Sequence, residues 1–152
     1  MKHKLKHFIW KSLQNILPGN EVIKRRIGRG SELCACCGAQ LETLEHMFFF
    51  CKHAELIWKA SPIQWDGLLE FRKSFWLWWN NLMEAKERGA GREHICLVVS
   101  ILWQIWKSRN RTQFNREEAC QGRTVLKVVN EWNEYDSAQQ TDKEVKIEER
   151  EQ

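Results

Sequence analysis

Apolar positions recur at helical spacing along almost the whole chain. Leu5, Phe8, Ile9, Leu13, Ile16 and Leu17 fall three and four apart, with Lys4, Lys11 and Gln14 outside the stripe, which predicts an amphipathic helix. Pro18-Gly19-Asn20 breaks it, Asn20 is placed to cap a short helix from Glu21 to Ile27, and Gly28 closes that helix. Gly28-Arg29-Gly30-Ser31 then leads into a cysteine-rich stretch. Beyond it, about His53 to Lys59 reads as a helix with Ala54, Ile57 and Trp58 on its apolar face, stopped by Ser61-Pro62. Leu68, Phe71, Phe75, Trp78, Trp79, Leu82 and Met83 form a stripe within Trp65 to Lys86, with Asp66 as the expected cap. Glu93 to Asn110 is apolar nearly all round and is expected to be the most buried element. Arg116 to Tyr135 turns Val125, Val128, Val129 and Trp132 inward, and Gly122 weakens its first half. From Asp136 onward the periodicity stops and Gln, Lys and Glu dominate, which reads as frayed helix or disorder. No strand pattern stands out apart from a short pairing around the cysteines.

The cysteine-rich stretch, CACCGAQLETLEHMFFFC, carries the chemistry. Cys34, Cys37, His46 and Cys51 read C-x2-C, eight residues, H, four residues, C. Two cysteines three apart turn both sulfurs into one tight loop, and a His and a Cys downstream complete a tetrahedron of the kind Zn²⁺ prefers. Four protein ligands would leave no position for water or substrate, so the expected site is structural. Glu42 to Phe50 reads as a short helix with Thr43 as its N-cap. At about 100° per residue, Cys51 would lie about 140° around from His46, so both reach one ion only if the helix loosens or ends near Cys51. His53 faces the same way as His46 but sits about 10 Å further along the axis, too far to share the ion. Cys36 competes with Cys37 for the first loop, although Gly38 suits the turn after a C-x2-C pair. A redox C-x-x-C or a set of buried thiols is the alternative.

Composition narrows the possibilities. With 152 residues, 43% of them hydrophobic and 29% charged, the chain is long enough to build a core. Nine tryptophans imply extensive buried or interfacial aromatic surface. Six cysteines without a signal peptide argue for a reducing compartment, hence an intracellular protein, nuclear or cytoplasmic and not secreted. The longest apolar run, Ile95 to Trp106, is too short to span a bilayer, which takes about 20 residues, so no membrane partner is expected.

Charge is uneven within a net +4. Over residues 1–30, Lys2, Lys4, Lys6, Lys11, Lys24, Arg25, Arg26 and Arg29 face one acid, Glu21, whereas acids outnumber bases after Glu131. A basic front suits a polyanion, and ordinary solvated charge is the alternative. Lys4, Lys6, Trp10, Lys11, Arg25 and Arg26 are the candidate nucleic-acid contacts, because aromatic and basic groups are interleaved there; Phe8 is expected in the core and Trp10 outside it. Lys107, Arg109 and Arg111 form a second basic group, open to phosphate contacts or to simple solvation. Trp76-Leu77-Trp78-Trp79 reads either as a base-stacking platform or, preferably, as a core stripe with one or two exposed rings. No catalytic constellation emerges. Asp66, Asp136 and Asp142 are the only aspartates and none are adjacent, which excludes the paired carboxylates of a two-metal site, and there is no phosphate-binding loop. His94, Cys96 and Cys120 read as packing residues.

HFIWKSLQNILP, IKRRIG, the C-x-x-C pair, ETLEHMFFFC and HAELIW together resemble the zinc-binding region of plant non-LTR retrotransposon reverse transcriptases, from about Lys4 to Trp58. ILWQIWKSRNRTQFN, Ile101 to Asn115, is similar to the segment that joins that region to RNase H in the family. The resemblance implies zinc held by Cys34, Cys37, His46 and Cys51, a role beside RNA or DNA, and docking to other retroelement protein domains. Cys36 stands where the family has a non-ligand residue. No polymerase region precedes the match, and nothing after Tyr135 resembles RNase H, so the chain reads as a retroelement fragment. The expected class is mainly α: a small helical zinc-binding module over residues 1–60, a helical hairpin and C-terminal helix over 65–135, and a disordered acidic tail over 136–152. The expected function is a non-enzymatic zinc module associated with nucleic acid. A zinc-organised protein-docking module, or a relic without nucleic-acid binding, is the alternative.

Overall fold

A computed structural model of the chain describes residues 2–61, 69–86, 91–117 and 121–151. Among these residues the architecture is helical: α1 (His3–Leu13), α2 (Asn20–Ile27), a π-helical turn (His46–Phe50), α3 (Lys52–Ala60), a 3₁₀ turn (Leu69–Phe71), α4 (Phe75–Lys86), α5 (Gly91–Asn115) and α6 (Gln121–Glu151). The one pairing of extended backbone among them is an antiparallel bridge between Leu33 and Leu41, where the sequence reading left room for a short pairing.

The helix ends follow from local chemistry. α1 stops at Leu13, earlier than its apolar stripe, because Asn15 takes the left-handed conformation (φ 54°). The amide of Ile16 then reaches back to Lys11 O and that of Asn15 to Ser12 O, closing the last carbonyls. Leu17 lies beyond the helix yet is still buried. Gly28 ends α2 with φ 75°, as its position predicts. Asn20 is not the cap of α2: Gly19 holds that position and Asn20 turns into the interior. α4 begins at Phe75, because Ser74 stops the preceding 3₁₀ turn and its hydroxyl accepts the Leu77 amide at 3.3 Å. The expected cap at Asp66 lies outside the described residues. Arg116 has φ 57° and closes α5, so it does not open the next helix. α6 continues past Asp136 to Glu151, through the stretch where the sequence reads as frayed or disordered. Gln, Lys and Glu are good helix formers, and every described side chain from 140 to 151 is exposed.

One core crosses from the front of the chain to the rear. Phe8 and Ile9 of α1, Phe48 and Phe49 of the π turn, and Ile57 and Trp58 of α3 meet Phe75, Trp78 and Leu82 of α4, and Val98, Ile101, Leu102 and Ile105 of α5. Phe49 packs 4.8 Å from Trp78 and 6.3 Å from Phe75, while Phe8 meets Trp103 edge-on at 5.2 Å. Burying one such side chain contributes about 1.5–3 kcal/mol, so this shared aromatic mass is a principal tie between the front and α4–α5. The core continues across the division near residue 60 that the sequence suggests. Among the described elements α5 contributes the most buried residues, as its all-round apolar pattern predicts. α6 lies against α5 and α3, with Val128 fully buried and Val125, Val129 and Trp132 half-buried. Trp78 is core, Trp79 is half-buried, and Trp76 and Leu77 face outward. None of the described helices is long and apolar enough to cross a membrane.

Candidate metal centre

The Leu33–Leu41 bridge brings two extended arms together and leaves Cys34 to Cys37 as the turn at their tip. The Cys34 amide donates to Gln40 O and the Gly38 amide to Cys34 O, each at 2.8 Å. Gly38 has φ 66°, a conformation that a side chain would strain, which explains glycine just after the second cysteine. From the second arm, Thr43 starts a helical turn: its hydroxyl accepts the His46 amide at 3.1 Å, the N-cap role its position predicts.

That turn resolves the angular problem between His46 and Cys51. A regular α-helix would set them far apart around the axis. Here His46 to Phe50 widen into a π turn, and the Cys51 amide donates to His46 O at 2.7 Å, five residues back. With i to i+5 bonding the turn widens, residues five apart stand closer around the axis than in an α-helix, and both side chains reach the same cluster. Cys51 then leaves the turn with extended ψ (135°) and caps α3.

The four expected ligands converge. One donor atom from each of Cys34, Cys37, His46 and Cys51 lies within 4.8 Å of every other. Cys34 Sγ is 3.8 Å from Cys51 Sγ, and Cys37 Sγ is 3.4 Å from His46 Nε2. A tetrahedral ion with metal–sulfur bonds near 2.3 Å requires sulfur–sulfur edges of about 3.8 Å and sulfur–nitrogen edges of about 3.6 Å. The donor set and its spacing therefore fit a four-coordinate ion. Cys34 and Cys51 are buried, His46 is half-buried and Cys37 is exposed, so the site sits at the rim of the core.

Cys36 does not join this group, yet it is close. The neighbouring Cys36 and Cys51 sulfurs, with the amides of Cys37 and Cys36, hold the Cys34 thiol far below its ordinary value. The same contacts with Cys34, together with burial, push Cys36 and Cys51 up. A thiolate at Cys34 is the form a metal needs. His53 is not part of the site either: it is buried in α3, with Nε2 3.1 Å from Ser108 Oγ, and burial lowers its pKa.

A buried polar network, missed from the sequence, holds the metal loop against α5. Arg109 and Glu42 form a salt bridge at 2.7 Å with side chains 1% and 0% exposed. Arg109 Nε also donates to Glu42 Oε1 at 3.1 Å, and its Nη2 to Asn20 Oδ1 at 3.1 Å. Glu42 accepts two amides besides, Asn20 N at 2.7 Å and Ala35 N at 2.8 Å, the second one residue from Cys34. Asn20 Nδ2 closes the circuit to Leu33 O at 2.8 Å. Arg109 is thus not a surface phosphate contact beside Lys107 and Arg111; its charge is spent inside the protein. The signal was faint: an Arg on the apolar face of a buried helix, with its partner far away in sequence.

The candidate nucleic-acid residues stay at the surface. Lys4, Lys6, Arg25 and Arg26 are exposed and Lys11 is half-buried. Trp10 is 51% exposed and stacks on His7 at 5.9 Å, while Phe8 faces the core as expected. Lys4 Nζ sits 5.6 Å from the Trp103 ring, and Arg25 pairs with Glu21 at 3.3 Å.

Fold and site together define a small helical protein with a metal-binding cluster of three cysteines and one histidine. Residues 1–58 match the family model described as zinc-binding in reverse transcriptase. The match covers the metal loop and α1 to α3 and contains no catalytic region. No curated protein and no solved structure matches the chain.

Proposed function

We propose that the chain is a non-enzymatic structural zinc module of reverse-transcriptase origin that associates with nucleic acid. The observation that carries it is the convergence of donor atoms from Cys34, Cys37, His46 and Cys51 to within 4.8 Å of one another, in a region matching a zinc-binding family. Three sulfurs and one imidazole suit Zn²⁺, and a filled shell leaves no open position for catalysis. The ion would tie the loop at Cys34–Cys37 to the start of α3. The basic front supports nucleic-acid association, since Lys4, Lys6, Arg25 and Arg26 remain in solvent and Trp10 is exposed.

Elemental analysis tests the metal. Wild type should carry one zinc per chain, Cys51→Ser and His46→Ala far less, and Cys36→Ser, Cys96→Ser and Cys120→Ser the full amount. Full retention in the first two variants would overturn the ligand set. Filter binding tests the surface: replacing Lys4, Lys6, Lys11, Arg25 and Arg26 with Gln should abolish low-salt binding to RNA or DNA. The exposed pair Trp76 and Leu77 on α4 favours a second reading, in which the zinc organises helices for docking onto another retroelement protein domain. Unchanged filter binding in the charge variant would support it.

A further inference from the structure

A cleft of about 470 Å³ opens between α2, the metal loop and the end of α5. Its walls are apolar, formed by Ile23, Leu33 and Ala35 with the backbone of Gly38, and Leu33 is 42% exposed there. Polar groups stand at its rim: Arg29, and Gln113 from α5. The Gln113 carbonyl accepts from Asn20 Nδ2 at 3.2 Å, which fixes the amide and turns its NH₂ away from that bond. Gly30 and Gly38 have positive φ with open space around them, so no side chain narrows the mouth there. Of the basic residues near the end of α2, Arg29 reaches this rim, and it has no carboxylate partner among the described residues.

We infer that this cleft takes one unpaired base of a single-stranded nucleic acid, resting on the proposal of nucleic-acid association above. An apolar slot accepts the flat face of a base. The Gln113 amide offers donors to its edge, and Arg29 at the rim meets a flanking phosphate. A duplex keeps its bases stacked and paired and cannot present one to a slot between helix and loop, so the cleft separates single strands from duplexes. Gln113 lies outside the stretch that matches the family, so α5 completes a site that the metal loop only half forms.

The test is fluorescence anisotropy of the zinc-loaded full chain with a labelled 12-nucleotide single strand and with a duplex of the same sequence. Ser31→Trp fills the cleft from an exposed position, and Gln113→Leu removes the edge donors. Both variants are first checked for zinc content and melting temperature. Each should weaken single-strand binding about tenfold, the scale of one stacked base, and leave duplex binding unchanged. Arg29→Gln should lower the salt slope by about 0.7. Equal loss on both probes, or no loss on either, would overturn the cleft while leaving nucleic-acid association in place. Wild type that binds neither probe at low salt would overturn the association itself.

Discussion

Replacing Arg109 with Met is expected to cost about 3–5 kcal/mol, because it leaves Glu42 charged, unpaired and out of reach of water. Met fills much of the same volume, so the loss measures charge more than cavity. In a chain of 152 residues each kcal/mol moves the melting temperature by about 2–4 °C, giving a drop of roughly 6–20 °C. Glu42→Gln alone should also destabilise, by about 3–5 kcal/mol, since it leaves the buried Arg109 without a counter-charge and the Ala35 amide without its acceptor. The double variant gives the decisive sign. Adding Glu42→Gln to Arg109→Met removes the uncompensated charge, so the double should be more stable than Arg109→Met by itself. Urea unfolding of the four proteins in excess zinc measures this. Losses that simply add, or an Arg109→Met cost below about 1 kcal/mol, would refute a buried, mutually dependent pair.

Chelation should open the metal loop before the rest: hydrogen exchange should lose protection around Thr43–Cys51 and keep it around Leu97–Trp106, whose bonds lie within a helix covered by α4 and α6. Uniform loss would show a single cooperative unit, and no loss would show that the cysteines hold no structural metal. Gly38→Ala should weaken zinc retention and cost about 1 kcal/mol, read by competition with a chromophoric chelator, because alanine strains the φ of 66° at the turn. Truncation after residue 139 should shift unfolding by no more than about 0.5 kcal/mol in urea, since the described side chains beyond it are exposed.

Much of this was legible in the sequence. The helices followed from apolar spacing because each buries one stripe, and α5 stood out because its apolar residues run nearly all round from Ile95 to Trp106. The four donors were legible because the short C-x2-C spacing and the His and Cys after it fall within one local stretch. The π turn was not, since five-residue bonding leaves no trace in an apolar pattern that reads equally well as α-helix; only the angular misfit of His46 and Cys51 hinted that the helix had to loosen. The Arg109–Glu42 pair was hidden by distance and by company. Lys107-Ser108-Arg109-Asn110-Arg111 looks solvated, and the acid that neutralises Arg109 stands 67 residues earlier. Gly19 was read as a breaker, whereas it caps α2 and sits against Glu42, where an added Cβ would come within 3.5 Å of the carboxylate.

The Arg109 bridge also bears on how such a region can be moved between proteins. A polypeptide cut at Trp58, where the family match ends, would keep all four donors and still carry Glu42 without its guanidinium, Asn20 without Gln113, and Phe48 and Phe49 without α4 and α5. Metal affinity alone would then have to offset a buried charge and a bare aromatic face. The metal-binding region is therefore portable only with a host that supplies a matching arginine and an apolar helix, and any recombination that preserves the cysteines but exchanges the host helix would inherit an acid in search of a partner.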